Sequence, residues 1–254
     1  MWDLIKKDFN QKQRLLYLFD AILIVYTIGV GLGSRFELII PPATFMQPLG
    51  TGIYVITDIM ILLTAITFTG KKTRQRISAD LVQQISYDQI FWSKIINLFI
   101  DYLDLVIVAF ASSLVAQRFI FRDKFLNYQT LHTMGISIGA NFMLVFLLVA
   151  ITILFSTLIK SIRGAIAAGI GFQYLGSVLA APIMILLYHH KWLKWNPFNC
   201  LFVQFQINSP INHTMTKLSM LDSITSTIIY GLIYLFFAYL LFSKFNRTKK
   251  HQTN

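Results

Sequence analysis

The chain has 254 residues, of which 56% are hydrophobic and only 13% are charged, and its formal net charge is +11. Soluble domains carry about 25% charged residues, so this composition excludes an ordinary soluble protein. The single cysteine, Cys200, excludes an intramolecular disulfide. We therefore expect an all-α integral membrane protein.

Six apolar runs are long enough to cross a bilayer, since a helical span needs about 20 residues. The runs cover 15–33, 50–69, 95–117, 134–159, 164–188 and 222–243. Nothing between them is large enough to form a soluble domain. The sequence therefore predicts six transmembrane helices in one membrane domain that covers 1–254.

The first 14 residues form an amphipathic segment ahead of the first run. Trp2, Ile5 and Phe9 recur at helical spacing, with lysines elsewhere around the helix. This pattern predicts an interfacial helix over 1–14, which would lie in the plane of the membrane surface. An ordinary basic flank that anchors the first span is an equal alternative.

The basic residues are divided unequally between the two sides of the predicted membrane. If both termini are cytoplasmic, the inner segments hold 15 Lys and Arg and the outer segments hold seven. The positive-inside rule therefore places both termini in the cytoplasm. Anionic lipid headgroups attract such a basic inner rim, so the charge requires no nucleic-acid partner. We expect a multi-pass protein of a cell membrane, the bacterial plasma membrane.

The segment between the second and third runs is charged but has the pattern of a helix. Ile77, Leu81 and Ile85 fall at i, i+4 and i+8 and form one apolar stripe. Ser86 is placed to cap a second helix that continues into the third run. A short cytoplasmic helix with one apolar stripe suits either a groove on a partner protein or the lipid surface.

The stretch "ISADLVQQISYDQIFWSK" resembles a segment of the six-span permease subunits of ABC exporters, the ABC type-2 family. In that family a cytoplasmic coupling helix joins the second and third spans, and a Lys, here Lys94, opens the third span. The acidic residue that usually precedes this helix is replaced here by Lys72, Arg74 and Arg76. The resemblance implies a coupling helix over 76–85 that contacts an ATPase through Arg76, Ile77, Asp80, Leu81, Gln84 and Ile85.

Two further segments support this resemblance, which covers nearly the whole chain. "FSTLIKSIRGAIAAGIGF" is similar to the tight inner turn between the fourth and fifth spans of the family. "KWLKWNPFNCLFVQF" is similar to its outer loop, in which short helices dip toward the membrane. The implied fold is a single ABC export-type transmembrane domain. Its implied outer re-entrant residues are Trp195, Asn196, Pro197 and Phe198.

The resemblance also implies that ATP and Mg²⁺ are bound by a separate ATPase subunit, present in two copies. The stretch "AITFTGKK" echoes a phosphate-binding loop, but that motif needs Gly at 65 and Ser or Thr at 72. Ala65 and Lys72 stand there instead. We therefore expect no catalytic residue and no cofactor in this chain, and a second permease subunit, identical or paralogous, as partner.

Aspartates within the predicted spans mark a functional interior, because a charge in hydrocarbon is costly. Asp101 and Asp104 are at i and i+3 on one face, about two turns beyond Lys94. We expect a polar lining near the cytoplasmic side, paired with Lys94, Lys160 or Arg163, and leave a proton relay as the alternative. The candidate translocation-path or packing residues are Asp20, Asp58, Asp101 and Asp104.

Histidines in the predicted outer loop do not indicate a metal site. His189, His190 and His213 lie around the lone Cys200, and this ligand set is incomplete. We therefore expect no metal.

Small residues recur at a spacing that favours close helix packing. One such pair is Gly135 and Gly139, and another is Ala167 and Gly171. The sequence predicts that neighbouring helices approach closely at these two places.

The expected cargo is an amphipathic or hydrophobic peptide, such as a bacteriocin, a lantibiotic or a cytolytic modulin. The resemblance to peptide exporters and immunity pumps implies this class, and aromatic residues crowd the outer loop. An exporter of drugs, lipids or ions, and an immunity protein that binds a peptide without transport, remain alternatives. A prenyl-processing membrane protease would need paired glutamates, and Glu37 is the only one. A secondary carrier would normally show internal repeats or broken helices, and only Pro182 interrupts a span.

Overall fold

The computed structural model describes residues 2–35, 46–69, 86–116, 118–119, 128–159, 161–187, 190–208 and 213–250. Every regular element in these ranges is a helix. The predicted coupling helix over 76–85 lies outside the described residues.

Six long helices and several short ones make up the described part of the chain. In chain order the helices are α1 (Trp2–Arg35), α2 (Met46–Thr69), α3 (Tyr87–Ala116), α4 (Tyr128–Leu158), α5 (Ile162–Leu186), two 3-10 helices (Lys191–Trp195 and Asn199–Phe202), α6 (Val203–Asn208), α7 (His213–Thr216) and α8 (Met220–Lys250). The short helices between α5 and α8 correspond to the predicted outer loop.

Each long helix contains a stretch that is long and apolar enough to cross a membrane. These stretches are Lys12–Gly33, Gly52–Thr69, Tyr87–Ala116, His132–Leu158, Ile162–Ala180 and Met220–Lys244. The predicted number of six is confirmed. The chain is a multi-pass, all-helical membrane protein over the part that the structure describes.

The N-terminal segment and the first span form one helix rather than two. α1 continues without a break from Trp2 to Arg35. No glycine or proline occurs before Gly29, so nothing in the sequence ends the helix near residue 14. One continuous helix fits the alternative of a basic flank better than a separate helix over 1–14, and the position of the first turns at the membrane surface stays a prediction.

Serine caps begin three of the long helices. The Ser86 hydroxyl accepts a hydrogen bond from the Gln89 backbone N–H at 3.2 Å, and the Gln89 side chain accepts one from the Ser86 N–H at 3.2 Å. This capping box confirms the predicted cap and starts α3 ahead of the predicted span. Ser161 caps α5, and Ser219 forms a similar box with Asp222 at the start of α8.

α2 and α4 form the centre of the bundle. α2 contacts α1, α3, α4 and α5, while α4 also contacts α6 and α8. The apolar stretch of α2 is 72% buried, against 17% for α5 and 22% for α8. The outer helices therefore leave most of their apolar surface for lipid or for another chain, and α2 is held on several sides.

The glycines that pack closely are not the predicted ones. A Cβ atom at Gly135 or Gly139 would meet no atom within 4 Å among the described residues. A Cβ at Gly169 would instead lie 2.8 Å from side-chain atoms of Ile61 and Thr152. The predicted close approach at Gly135 and Gly139 was wrong. The spacing of small residues identifies one face of a helix, but it does not tell which face a neighbouring helix contacts.

Gly231→Ala should destabilise the bundle by about 1–3 kcal/mol, because its Cβ would overlap the Phe146 ring where α4 meets α8. Gly135→Ala is the matched control and should be neutral or stabilising by up to about 1 kcal/mol, since alanine favours the helix. Thermal unfolding of the detergent-solubilised chain measures both. Equal midpoints for the two variants would contradict the described packing.

Candidate functional site

The predicted coupling residues lie outside the described residues, but the helices on both sides of them are described. Those residues are Arg76, Ile77, Asp80, Leu81, Gln84 and Ile85. α2 ends at Thr69 before this segment, and α3 begins at Tyr87 after it. The contacts at these two helix ends lie within the described part of the chain.

Lys94 joins α3 to the end of α2. Its side chain is 3% exposed, and its Nζ donates a hydrogen bond to the Thr67 carbonyl at 2.7 Å. The same ammonium group lies 5.5 Å from the centroid of the Phe68 ring. Carbonyls in the last turn of a helix lack intrahelical partners and carry the negative end of its dipole. The contact is therefore a charge-assisted hydrogen bond in a buried place.

Aromatic rings connect the same end of α2 to α3 and α8. The buried Phe91 ring lies 5.7 Å from Phe68, and 5.4 Å from both Tyr239 and Phe242, between centroids. The Tyr239 hydroxyl also donates to Asp88 Oδ1 at 2.7 Å. These contacts tie three helices together beside the segment 70–85. We call this group the α2–α3 base: Phe68, Phe91, Lys94, Tyr239 and Phe242.

Asp101 forms a buried ion pair with Lys12 of α1. Lys12 Nζ lies 3.4 Å from Asp101 Oδ2, and their side chains are 11% and 0% exposed. The sequence predicted Lys94, Lys160 or Arg163 as partners of this carboxylate, and it missed Lys12. Because α1 is continuous, Lys12 lies beside α3, where it reaches Asp101.

Further polar groups lie along the same part of α1 and α3. Asn97, between Lys94 and Asp101, is 0% exposed, and neither its Oδ1 nor its Nδ2 has a hydrogen-bond partner among the described residues. The carboxylate of Asp104 lies close enough to that of Asp20 on α1 for the two to repel each other. Three of the four predicted aspartates thus lie between α1 and α3.

Asp58 lies elsewhere, between α2 and α5. The Tyr174 hydroxyl of α5 donates to Asp58 Oδ2 at 3.2 Å, and the Gln173 amide lies beside the same carboxylate. Asp58 Oδ1 has no hydrogen-bond partner among the described residues. Tyr26 of α1 is near enough to Tyr174 for the two hydroxyl groups to interact electrostatically. Because Tyr174 is 55% exposed and Tyr26 is 43% exposed, this carboxylate lies beside an open face of the bundle.

Aromatic rings extend this open face toward the predicted outer loop. Tyr54 lies one turn before Asp58 on α2, and its ring centroid is 5.8 Å from that of Phe205 on α6. Tyr54 and Phe205 are 40% and 48% exposed. A carboxylate and several rings therefore share one surface. We call this surface the Asp58 face: Tyr26, Tyr54, Asp58, Gln173, Tyr174 and Phe205.

The predicted outer-loop residues form one tight turn that packs onto the bundle. They are Trp195, Asn196, Pro197 and Phe198. Asn196 Oδ1 accepts hydrogen bonds from the next two backbone N–H groups after Pro197, at 3.0 and 3.2 Å. The Phe198 ring lies 5.8 Å from that of Phe172 on α5, and Tyr230 of α8 donates its hydroxyl to the Trp195 carbonyl.

A buried amide that the sequence analysis missed fastens the outer loop to the spans. Asn141 of α4 is 0% exposed, and its Nδ2 donates to the Ile53 carbonyl at 3.1 Å and to Thr57 Oγ1 at 3.0 Å. It also reaches Gln204 of α6 at 3.5 Å, and its Oδ1 accepts from the Tyr102 hydroxyl at 3.3 Å. The available signal was a lone amide within the apolar fourth run.

Native Cys200 should resist a water-soluble maleimide at neutral pH and react fully after denaturation in SDS. The thiol is buried and donates to Ser226 Oγ at 3.5 Å. Burial raises the pKa of the Cys200 thiol, and hydrogen bonds to Ser226 and Thr227 lower it by less. The thiolate is the reactive form, so both exclusion and protonation slow the reaction. Labelling of the native chain at the denatured rate would contradict the described outer-loop packing.

Comparisons with known proteins found no match to this chain among protein-family models, curated proteins or solved structures. Among the described residues, no three His, Cys, Asp or Glu side chains lie close enough to hold a metal ion. The fold and its polar groups define a multi-pass membrane protein with a base beside the segment 70–85 and an open carboxylate face.

Proposed function

We propose that this chain is the permease subunit of an ATP-driven exporter of the ABC type-2 family. Two such subunits, identical or paralogous, pair with two copies of a separate ATPase that binds ATP and Mg²⁺. The cargo is an amphipathic or hydrophobic peptide of antimicrobial or cytolytic type, which leaves the cell or the membrane. Both termini and the coupling segment 76–85 face the cytoplasm of a bacterial cell.

The observation that carries this proposal is the α2–α3 base. A partner that moves the segment between α2 and α3 must pass that movement to the spans. Lys94 ties the end of α2 to α3, and Phe91 ties both to α8. A helix that only rests on lipid needs no such anchorage at both of its ends. Because the segment is attached to packed helices at both ends, its movement would be transmitted to the spans.

Polar groups inside the spans support transport rather than a purely structural role. Carboxylates in a membrane are costly and mark pathways by default. The Lys12–Asp101 pair couples α1 to α3, so a movement of the base would also reach α1. The Asp58 face presents polar and apolar groups together, which is the surface that an amphipathic cargo needs. In this mechanism ATP binding moves 76–85, and α1, α2, α3 and α8 respond together.

Copurification tests the proposal. The tagged chain is produced from its complete gene cluster and purified in mild detergent, and bound proteins are identified. We expect an ATPase subunit in equal amount, and ATP hydrolysis that rises when a peptide cargo is added. A chain that purifies without an ATPase and still protects cells from a peptide would be an immunity protein without transport. Deletion that changes sensitivity to a small drug but to no peptide would reassign the cargo.

A further inference from the structure

We propose that the Asp58 face is a cargo subsite that recognises an organic cation attached to an apolar body. This inference rests on the proposed function and specifies its cargo, because it requires a positive charge on the part of the cargo that enters the membrane.

The first argument is the position of the carboxylate. Asp58 is six residues into the stretch Gly52–Thr69, about 9 Å along the helix at 1.5 Å per residue. At that depth a carboxylate is costly unless a partner balances its charge. Asp101 is balanced by Lys12, whereas the partners of Asp58 in the described chain are the neutral Tyr174 hydroxyl and Gln173 amide.

The second argument is the unused acceptor on the same group. Asp58 Oδ2 accepts from Tyr174, which fixes the orientation of the carboxylate. Oδ1 has no hydrogen-bond partner among the described residues, although such groups are normally satisfied in folded proteins. Oδ1 is itself buried, so the carboxylate is held in place with one acceptor unsatisfied, and a cation against the surrounding rings would stabilise it through its charge.

The third argument is the aromatic surroundings. Tyr26, Tyr54, Tyr174 and Phe205 are each between 40% and 55% exposed, so their rings are open to a molecule in the membrane. Ring faces attract cations, and this attraction grows when water is excluded. Together a carboxylate and exposed rings favour a cation on an apolar body and repel an anion of the same shape.

Two sources could supply such a cation: the peptide cargo, or an amine on a lipid headgroup. We assign the subsite to the cargo, because headgroups lie outside the hydrocarbon whereas Asp58 lies about 9 Å along a span.

A matched pair of probes tests the subsite on the purified full-length chain without ATPase. Tetraphenylphosphonium and tetraphenylborate have nearly the same shape and opposite charge, and equilibrium dialysis in dodecyl maltoside measures the binding of each. The parent should bind the phosphonium saturably and at least about tenfold more tightly than the borate. Asp58→Asn should weaken phosphonium binding by at least about tenfold, while Asp58→Glu should retain it. The control Asp222→Asn, at the start of α8, should match the parent.

The outcomes separate this inference from the proposed function. Equal affinity of the parent for both probes, or unchanged phosphonium binding by Asp58→Asn, would overturn the cation subsite even if an ATPase copurifies. Displacement of the phosphonium by added phosphatidylethanolamine would assign the face to lipid and overturn its role with cargo. The comparison of the two probes on the parent remains decisive if Asp58→Asn does not fold. If the chain binds the phosphonium selectively but no ATPase copurifies with it, the cation subsite stands and the proposed exporter function is refuted.

Discussion

Leu81→Asp should leave the chain inserted in the membrane in normal amount, yet abolish stimulation of the ATPase and protection against cargo. Ile77, Leu81 and Ile85 form the predicted apolar stripe of 76–85. Burial of a leucine contributes roughly 1.5–3 kcal/mol, so its loss alone weakens docking at least about tenfold. A carboxylate placed in the same groove would add a desolvation cost. ATP hydrolysis by the purified complex and survival of cells in the presence of peptide measure the effect.

Gln83→Asp is the matched control for this variant. It adds the same charge two residues away, off the apolar stripe, and should retain both ATPase stimulation and protection. If Leu81→Asp transports as well as the parent, the segment is a lipid-surface helix and the coupling role is wrong.

Asp101→Leu should destabilise the chain by about 3–5 kcal/mol, because it leaves the Lys12 ammonium buried without its described counter-ion. Lys12→Met should have a comparable effect, because it leaves the Asp101 carboxylate buried without its described counter-ion. The double variant should lose clearly less than the sum of the two, since apolar groups of similar volume replace both charges. Unfolding by added SDS is monitored through the loss of helix signal, and it measures the free energy of unfolding of each variant.

Asp88→Leu serves as the control for a carboxylate outside the buried pair. Its described hydrogen bond to Tyr239 is exposed, so the loss should be below about 1 kcal/mol. Strictly additive effects of the Lys12 and Asp101 substitutions would show that the two side chains do not stabilise the fold as a pair.

The helical architecture was predictable because each span is a local property of the chain. An apolar run of about 20 residues must satisfy its backbone within one helix, whatever surrounds it. The same holds for the Ser86 cap, in which a serine and a glutamine three residues apart bond each other's backbone. Local rules therefore gave six spans and the start of α3.

The contacts between spans were much less predictable. The partner of Asp101 lies 89 residues away, in a segment whose charges equally fit the membrane surface. Asn141 contacts groups on three other helices, which a single apolar run cannot indicate. The side of each helix that faces a neighbour depends on the whole bundle. Sequence therefore marked Asp58 as a candidate residue but not its hydrogen-bond partner Tyr174.

Uptake of a labelled amphipathic peptide into inside-out vesicles tests ATP-driven export most directly. The vesicles come from cells that produce the chain together with the ATPase that copurifies with it. We predict accumulation that requires ATP, disappears with Leu81→Asp and persists with Gln83→Asp. Uptake that is the same with and without ATP, or no uptake while the cells stay resistant to the peptide, would contradict the proposed export function.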